Sequence, residues 1–184
     1  MDTTLYIILI IFAIVFFYAW SIYNTLATAK VRIREALSSI DVQLKRRVDL
    51  IPNLIETVKG YTRHEKTVLE NVTKARSSLI HANTPHEKAA SDNMLSSALK
   101  SLIAISESYP DLKASKNFLH LQEELSDIEA KIAYSRQFYN SNVQNYNSTL
   151  AAFPGSLIGN MFGYKSEEFF TAKDSEKEPI KVSF

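Results

Sequence analysis

The sequence of 184 residues contains no cysteine and few residues that interrupt helices. The lack of cysteine excludes disulfide bonds, thiolate metal sites and a cysteine nucleophile, and it is typical of reducing compartments. Four glycines and five prolines are few for this length, which favours long helices over a β fold with many turns. Basic residues number 21 and acidic residues 20, so the net charge is +1. No overall positive field therefore indicates binding to nucleic acid.

The motifs of catalysis and cofactor binding are also missing. The sequence has no phosphate-binding glycine loop, dinucleotide fingerprint or serine nucleophile elbow. His64-Glu65 begins like the zinc-protease pattern, but Val68 stands where the second histidine is needed. His81 and His86 flank a predicted turn, and two histidines do not make a metal site without further ligands. The sequence therefore predicts no catalytic residue, metal ligand, cofactor or small-molecule substrate, and we expect a protein that is not an enzyme.

One long apolar run stands near the N-terminus, at residues 5–23 (LYIILIIFAIVFFYAWSIY). It has no charged residue, and about 20 apolar residues in a helix span a bilayer. A cleaved signal peptide is the alternative, because Ala27-Thr28-Ala29 resembles a cleavage site. No basic residue precedes the run, however, and the run is longer than a typical signal-peptide core. We therefore predict a transmembrane helix over residues 5–23.

The residues beside this run predict its orientation. Three aromatic residues lie at its C-terminal end, where rings favour the headgroup level, and three basic residues follow. Residues 1–4 contain no basic residue. Because positive charge stays on the cytoplasmic side, we expect residues 1–4 outside and the rest in the cytoplasm, as a single-pass protein of the plasma (inner) membrane. The candidate residues at the membrane interface are Tyr18, Trp20, Tyr23, Lys30, Arg32 and Arg34.

Apolar residues recur in steps of three and four from Tyr23 to Leu79, which is a heptad seam typical of a coiled coil. The pattern keeps its phase through Pro52, so it predicts one kinked helix or two helices that meet end to end there. Arg47 and Glu65 lie on this seam, and a charge in a seam needs a partner. We expect Glu or Arg of facing helices or of another subunit to pair with them, unless both side chains reach solvent.

Two further helices complete the predicted fold. A capping box at residues 84–87 (TPHE) begins one that ends near Ser108, and the last runs from near Ser115 to a stop at Pro154. Because helices bury their apolar stripes against each other and short connections make neighbours antiparallel, the predicted class is all-α. An elongated antiparallel bundle of three to four long helices, residues 24–152, follows the transmembrane helix. The last seam comprises Phe118, Leu121, Leu125, Ile128, Ile132, Ser135, Tyr139, Asn142, Tyr146 and Leu150.

Polar seam residues and the tail supply the remaining candidates for interaction. Polar groups in a seam specify register or oligomeric state. The tail, residues 153–184, has a GxxxGxxxG spacing that permits close approach of helices. It is either a loop packed on the bundle or an interfacial segment on lipid or on a partner. The candidates are Tyr139, Asn142 and Tyr146 in the seam, and Gly155, Gly159, Gly163, Phe169 and Phe170 in the tail.

Several stretches together resemble the LemA family. They are residues 40–65, residues 107–147, Phe153-Pro154, the MFGY motif before a diphenylalanine, and a closing P-x-K-V-x-F. One departure is Leu37, where we would expect tryptophan. The resemblance implies an N-terminal membrane helix, an outside N-terminus, a cytoplasmic bundle of long helices and no agreed enzyme activity. It also implies a part in membrane-bound organisation, with shaping of internal membranes in some relatives and proximity to a membrane zinc protease of the heat-shock type.

Two functions agree with these features. The first is a membrane-anchored, non-enzymatic helical scaffold that self-associates at the bilayer as a homo-oligomer and organises or shapes it. The alternative is an adaptor that presents a helical face to another membrane protein, such as a protease or a signalling protein.

Overall fold

The computed structural model describes residues 2–62 and 64–171, and every regular element in these residues is a helix. The predicted all-α class, with one long apolar N-terminal helix, is confirmed. The closing P-x-K-V-x-F pattern lies outside the described residues. The helices are α1 (Asp2–Lys59), α2 (Lys66–His81), α3 (Pro85–Ser106), α4 (Pro110–Lys113), α5 (Lys116–Ala151) and α6 (Gly155–Met161).

The described residues form two compact units. Unit 1 contains those of Met1–Ala36 and Phe138–Glu168, and unit 2 contains those of Leu37–Gln137 and Phe169–Phe184. Helices α1 and α5 contribute residues to both units, α6 belongs to unit 1, and α2, α3 and α4 belong to unit 2.

Pro52 lies inside α1, which neither ends nor divides there. Proline has no N–H to offer the carbonyl four residues earlier, so the Val48 carbonyl lacks its helical donor. The Arg76 Nε of α2 donates to that oxygen at 3.1 Å. A side chain from a neighbouring helix therefore offsets the hydrogen bond that the proline removes.

The predicted continuity of the first seam as far as Leu79 is wrong, because α1 ends at Lys59 and α2 begins at Lys66. Gly60, a poor helix former, follows the last helical residue. The Tyr61 amide donates to the Val58 carbonyl at 3.0 Å and closes the helix end. Tyr61, which the three/four spacing of the first seam includes, is consequently 44% exposed. The apolar phase resumes on α2, where Val72, Ala75 and Leu79 are buried.

The predicted capping box begins α3 and is confirmed. The Glu87 amide donates to Thr84 Oγ1 at 3.1 Å, and the Glu87 carboxylate accepts from the amides of Asn83 and Thr84 at 2.9 and 3.1 Å. These backbone donors lower the pKa of Glu87. Helix α3 ends at Ser106, slightly before the predicted Ser108, and a four-residue helix, α4, replaces the predicted turn after it.

One position of the α5 seam differs from the prediction. Asn142 is half-buried, and its side-chain amide donates to the Phe138 carbonyl at 2.8 Å. Val143 is fully buried in its place. Tyr139 and Tyr146 are seven residues apart, so a seam step at 142 or at 143 fits the heptad spacing, and burial favours the apolar side chain. The buried hydrophobic residues of unit 1 are Leu26, Ile33, Ala36, Tyr139, Val143, Tyr146 and Ile158.

Candidate functional site

The apolar start of α1 is a candidate membrane span. Among the described residues, α1 is the one helix whose length and composition suffice to cross a membrane. Its most apolar window has a mean hydropathy of 2.6, and no part of that window is buried. Trp20, at the C-terminal end of the span, is 59% exposed. The exposed apolar side chains of this part of α1 therefore form a surface that a bilayer would cover.

The three basic residues that follow the span differ in their surroundings. Lys30 Nζ lies 3.1 Å from Glu167 Oε1, and both side chains are about one-third exposed. Arg32 and Arg34 are exposed. Lys30 therefore contacts the tail within unit 1, while the two arginines project from the helix surface beyond the span.

Three side chains of α5 bind the backbone of residues 165–168, an arrangement that we call the tail clasp. The hydroxyl of Tyr139 donates to the Glu168 carbonyl at 2.9 Å, and that of Tyr146 donates to the Lys165 carbonyl at 2.8 Å. The Asn147 side chain pairs with the backbone of Glu167 through an N–H···O bond in each direction, at 2.9 and 3.0 Å. The predicted seam residues Tyr139 and Tyr146 therefore bind the chain's own tail.

The tail clasp depends on protonated tyrosines. Burial, with smaller contributions from the carboxylates of Glu167 and Glu168, raises the pKa of Tyr139 to about 12. Burial also raises the pKa of Tyr146, with a contribution from Glu167. Both hydroxyls therefore stay protonated to a higher pH than an exposed tyrosine does, and they donate to backbone carbonyls. The heptad spacing identifies the two tyrosines, but it does not identify residues 165–168 as their partner, because this segment has no periodic pattern.

The glycine-spaced part of the tail forms α6 and packs against the end of α5. A side-chain carbon at Gly155 would overlap the Thr149 carbonyl oxygen, and one at Gly159 would overlap the Leu150 side chain. Gly163 has φ +71°, a conformation that only glycine adopts without strain. The first two glycines thus bring α6 close to α5, and the third turns the chain towards the tail clasp.

Unit 2 contains a buried polar cluster at the predicted seam residue Arg47. One of its terminal nitrogens lies 2.7 Å from Asp92 of α3, and both side chains are 2% exposed. The other terminal nitrogen lies 3.9 Å from Glu129 of α5, and Arg136 lies 3.7 Å from Asp92. The main partner is thus an aspartate, not the glutamate expected from sequence. Burial raises the pKa of Asp92, and the charges of Arg47 and Arg136 counteract that effect.

Tail residues also reach this cluster within unit 2. Phe170 is 1% exposed, and the guanidinium of Arg136 lies 5.1 Å from the centre of its ring, which is a cation–π contact. Phe169 is 41% exposed. The two phenylalanines therefore have different surroundings, one in the core and one on the surface.

Glu65 and two of the histidines have partners within the chain. Glu65 accepts a hydrogen bond from the Tyr109 hydroxyl at 3.0 Å, which raises the pKa of Tyr109. Nδ1 of His81 lies 2.7 Å from the Ser77 carbonyl, and Nδ1 of His86 lies 3.0 Å from the Thr171 carbonyl. Within the described ranges, no three His, Asp or Glu side chains come close enough to hold a metal ion.

The fold and the span together define an all-helical protein with a candidate membrane anchor. The sequence model of the LemA family matches residues 36–184, and the chain belongs to the LemA family. Magnetosome protein MamQ 2 of Paramagnetospirillum magneticum is 23% identical over 86% of this chain and 68% of that protein. MamQ of Magnetospirillum gryphiswaldense matches with the same values. Protein LemA of Metamycoplasma hominis is 27% identical over 87% of this chain and 74% of that protein. The candidate span and the family together indicate that this protein is located at a membrane.

Proposed function

We propose that this protein is a membrane-anchored, non-enzymatic helical scaffold that self-associates at the bilayer and organises it. Its N-terminus would lie outside and its helical units in the cytoplasm, at the inner membrane. The observation that carries the proposal is the continuity of α1 from the candidate span into the packed core of unit 1.

This continuity argues against a simple tether. The span is exposed, whereas Leu26, Ile33 and Ala36 are at most 4% exposed. Every residue between these two parts of α1 is helical, and a helix is far stiffer than the flexible linkers that join independent parts. The tilt of α1 in the bilayer would therefore fix how unit 1 stands on the membrane, which a scaffold of repeated copies requires.

The polar seam residues do not carry self-association in this proposal, because each of them has a partner within the chain. Arg47 pairs with Asp92, and the Tyr139 hydroxyl binds the tail. Contacts between copies would instead use apolar residues on the surface, such as Met94 and Tyr134 of unit 2, which are 52% and 73% exposed. The names of the magnetosome relatives agree with a role in organising a cell structure.

The copy number in a bilayer tests the proposal. The full chain carries one dye and is reconstituted in vesicles, and bleaching steps are counted over a range of protein-to-lipid ratios. We expect several copies per assembly. As a matched control, residues 1–29 are fused to an unrelated monomeric domain, which should stay single if the helical units make the contacts. The adaptor would be favoured by two results together. The chain would be present as single copies at every protein-to-lipid ratio, and crosslinking in cells would capture a stoichiometric membrane protease or signalling protein.

The lack of cysteine permits a direct test of orientation. Thr3→Cys and Ser101→Cys each add one thiol to the full chain, and Ser101 is exposed on α3. In intact cells, a membrane-impermeant maleimide should label only the Thr3 variant, while both react after lysis. Labelling of the Ser101 variant in intact cells would reverse the proposed orientation.

A further inference from the structure

One end of unit 1 is free of charge. Residues 3–29 of α1 contain no Asp, Glu, Lys, Arg or His, and neither do residues 138–164 of α5 and α6. The polar side chains in these stretches are hydroxyls and amides. Such an end has no ion to desolvate, so it tolerates a non-aqueous surrounding far better than a charged surface does.

Helix α6 and its flanks turn large apolar side chains outward. Gly155, Ile158 and Gly159 form the buried face of α6. Leu157 and Met161 on its other side are 58% and 73% exposed. The flanking phenylalanines, Phe153 and Phe162, are 85% and 59% exposed. Contiguous exposed apolar groups of this size mark a surface that contacts a partner or a membrane.

A groove of about 760 Å³ separates this outward surface from α1. Its α1 wall runs from Ile14 to Asn24, and its other wall runs from Phe153 to Phe162. The α1 wall is about 15 Å long at 1.5 Å per residue. This equals roughly half of the 30 Å hydrocarbon core of a bilayer, and therefore the acyl region of one leaflet.

The groove and the candidate span share the same residues. Trp20 and Tyr23 line the groove, and they also stand at the end of the span, where aromatic rings favour the headgroup level. The ring of Tyr23 packs on that of Phe162, with 4.8 Å between centroids. If the span crosses the bilayer, α6 consequently meets the same leaflet as the end of the span.

We propose that α6, with Phe153 and Phe162, is an interfacial element that inserts into the leaflet next to unit 1, and that lipid acyl chains fill the groove between α6 and α1. The element adds a second membrane contact to the span and fixes the rotation of unit 1 about the α1 axis. This inference rests on the anchoring in the proposed function and is independent of self-association.

The single tryptophan of the chain, Trp20, allows a fluorescence test. In the variant Trp20→Phe/Phe162→Trp, the one tryptophan lies in the proposed element. The full chain is reconstituted in phosphatidylcholine vesicles whose acyl chains carry bromine, a short-range quencher. We expect blue-shifted emission from the introduced tryptophan, loss of most of that emission in brominated lipid, and little quenching by aqueous iodide.

A matched control places the tryptophan on α5, at a distance from α6. Phe138 is 50% exposed on α5 and lies about 20 Å along the helix from the end of α5. In Trp20→Phe/Phe138→Trp, iodide should quench and brominated lipid should not. Adding Leu157→Asp and Met161→Asp, both at exposed positions, to the Phe162→Trp variant should abolish quenching by lipid while the circular dichroism stays helical.

The native chain separates failure of this inference from failure of the anchor. If brominated lipid quenches Trp20 but not the tryptophan at position 162, the anchor stands and the interfacial element is wrong. Quenching of that tryptophan by iodide would place α6 in water, and quenching by neither agent would place it against protein. If brominated lipid does not quench Trp20, both the anchor and the inference fail.

Discussion

Unit 1 and unit 2 bury polar groups in different chemical forms. Unit 1 uses neutral groups, because the hydroxyls of Tyr139 and Tyr146 and the amide of Asn147 bond to tail backbone. Unit 2 buries ions, since Arg47 and Asp92 are each 2% exposed. A buried neutral donor needs one acceptor, whereas a buried ion needs a charge partner and further hydrogen bonds.

This difference matches the composition of the two units. Unit 1 contains the apolar span and the uncharged stretch of α5 and α6, so neutral polar contacts suit surroundings of low dielectric constant. Unit 2 keeps charged residues on its helices and closes its polar cluster with opposite charges. The contrast teaches that helices of one chain can bury their polar groups either as neutral donors or as paired ions.

The largest expected effect tests the ionic side of this comparison. Asp92→Ala leaves Arg47 buried without its main partner, so unit 2 should lose about 3–5 kcal/mol of unfolding free energy. The full chain is denatured chemically in micelles, and hydrogen exchange of the α3 amides reports the loss of unfolding free energy. Asp127→Ala, at an exposed pair with Lys131, is the control and should cost less than about 1 kcal/mol. If both changes lowered the unfolding free energy equally, the buried ion pair would stabilise the fold no more than a surface pair does.

The next effect tests the close packing of unit 1. Gly155→Ala forces a methyl group into the Thr149 carbonyl oxygen, and the backbone has to shift at a cost of about 1–3 kcal/mol. Gly159→Ala overlaps the flexible Leu150 side chain, while Tyr164 lies at an ordinary contact distance, so this change should cost less. Hydrogen exchange of the α6 amides gives both values. The same protection in the two variants would contradict the close approach at Gly155.

The third effect concerns the neutral side of the comparison. Tyr139→Phe leaves the Glu168 carbonyl without its donor, which should cost about 1–3 kcal/mol. The pKa of Tyr139 is raised from 10.0 to about 12 in the fold, so the protonated tail clasp is fully stable below pH 10 and loses stability as the pH rises towards 12. Absorbance of tyrosinate at high pH should show a late transition whose amplitude falls by one tyrosine in Tyr139→Phe. Titration of all tyrosines near their ordinary pKa would contradict the clasp.

The smallest effect is expected at a surface pair of unit 1. Lys30 and Glu167 are each about one-third exposed, so Lys30→Gln should change stability by less than about 1 kcal/mol, and salt should reduce the difference. Thermal unfolding at low and high ionic strength measures it. A loss as large as that from Asp92→Ala would remove the proposed contrast, because unit 1 would then depend on an ion pair as well.

Much of the helical structure was predictable because its cause is local. The capping box at Thr84, the stop of α5 before Pro154 and the phase of the buried residues follow from spacing within a few turns. The end of α1 at Lys59 was not predicted, because the apolar phase continues across the break and hides it. Asn142 was placed on the seam for a similar reason, since the next residue, Val143, fits the heptad equally well.

The sequence by itself determined the apolar span, the helical class and the family, because composition, periodicity and motif order depend only on the order of residues along the chain. Tertiary structure alone decided which distant groups meet. Arg76 supplies the donor that Pro52 removes from Val48, and Asp92 neutralises Arg47 from 45 residues away. These pairings depend on the rotation and height of one helix against another, and a periodic pattern leaves both undetermined until the side chains pack.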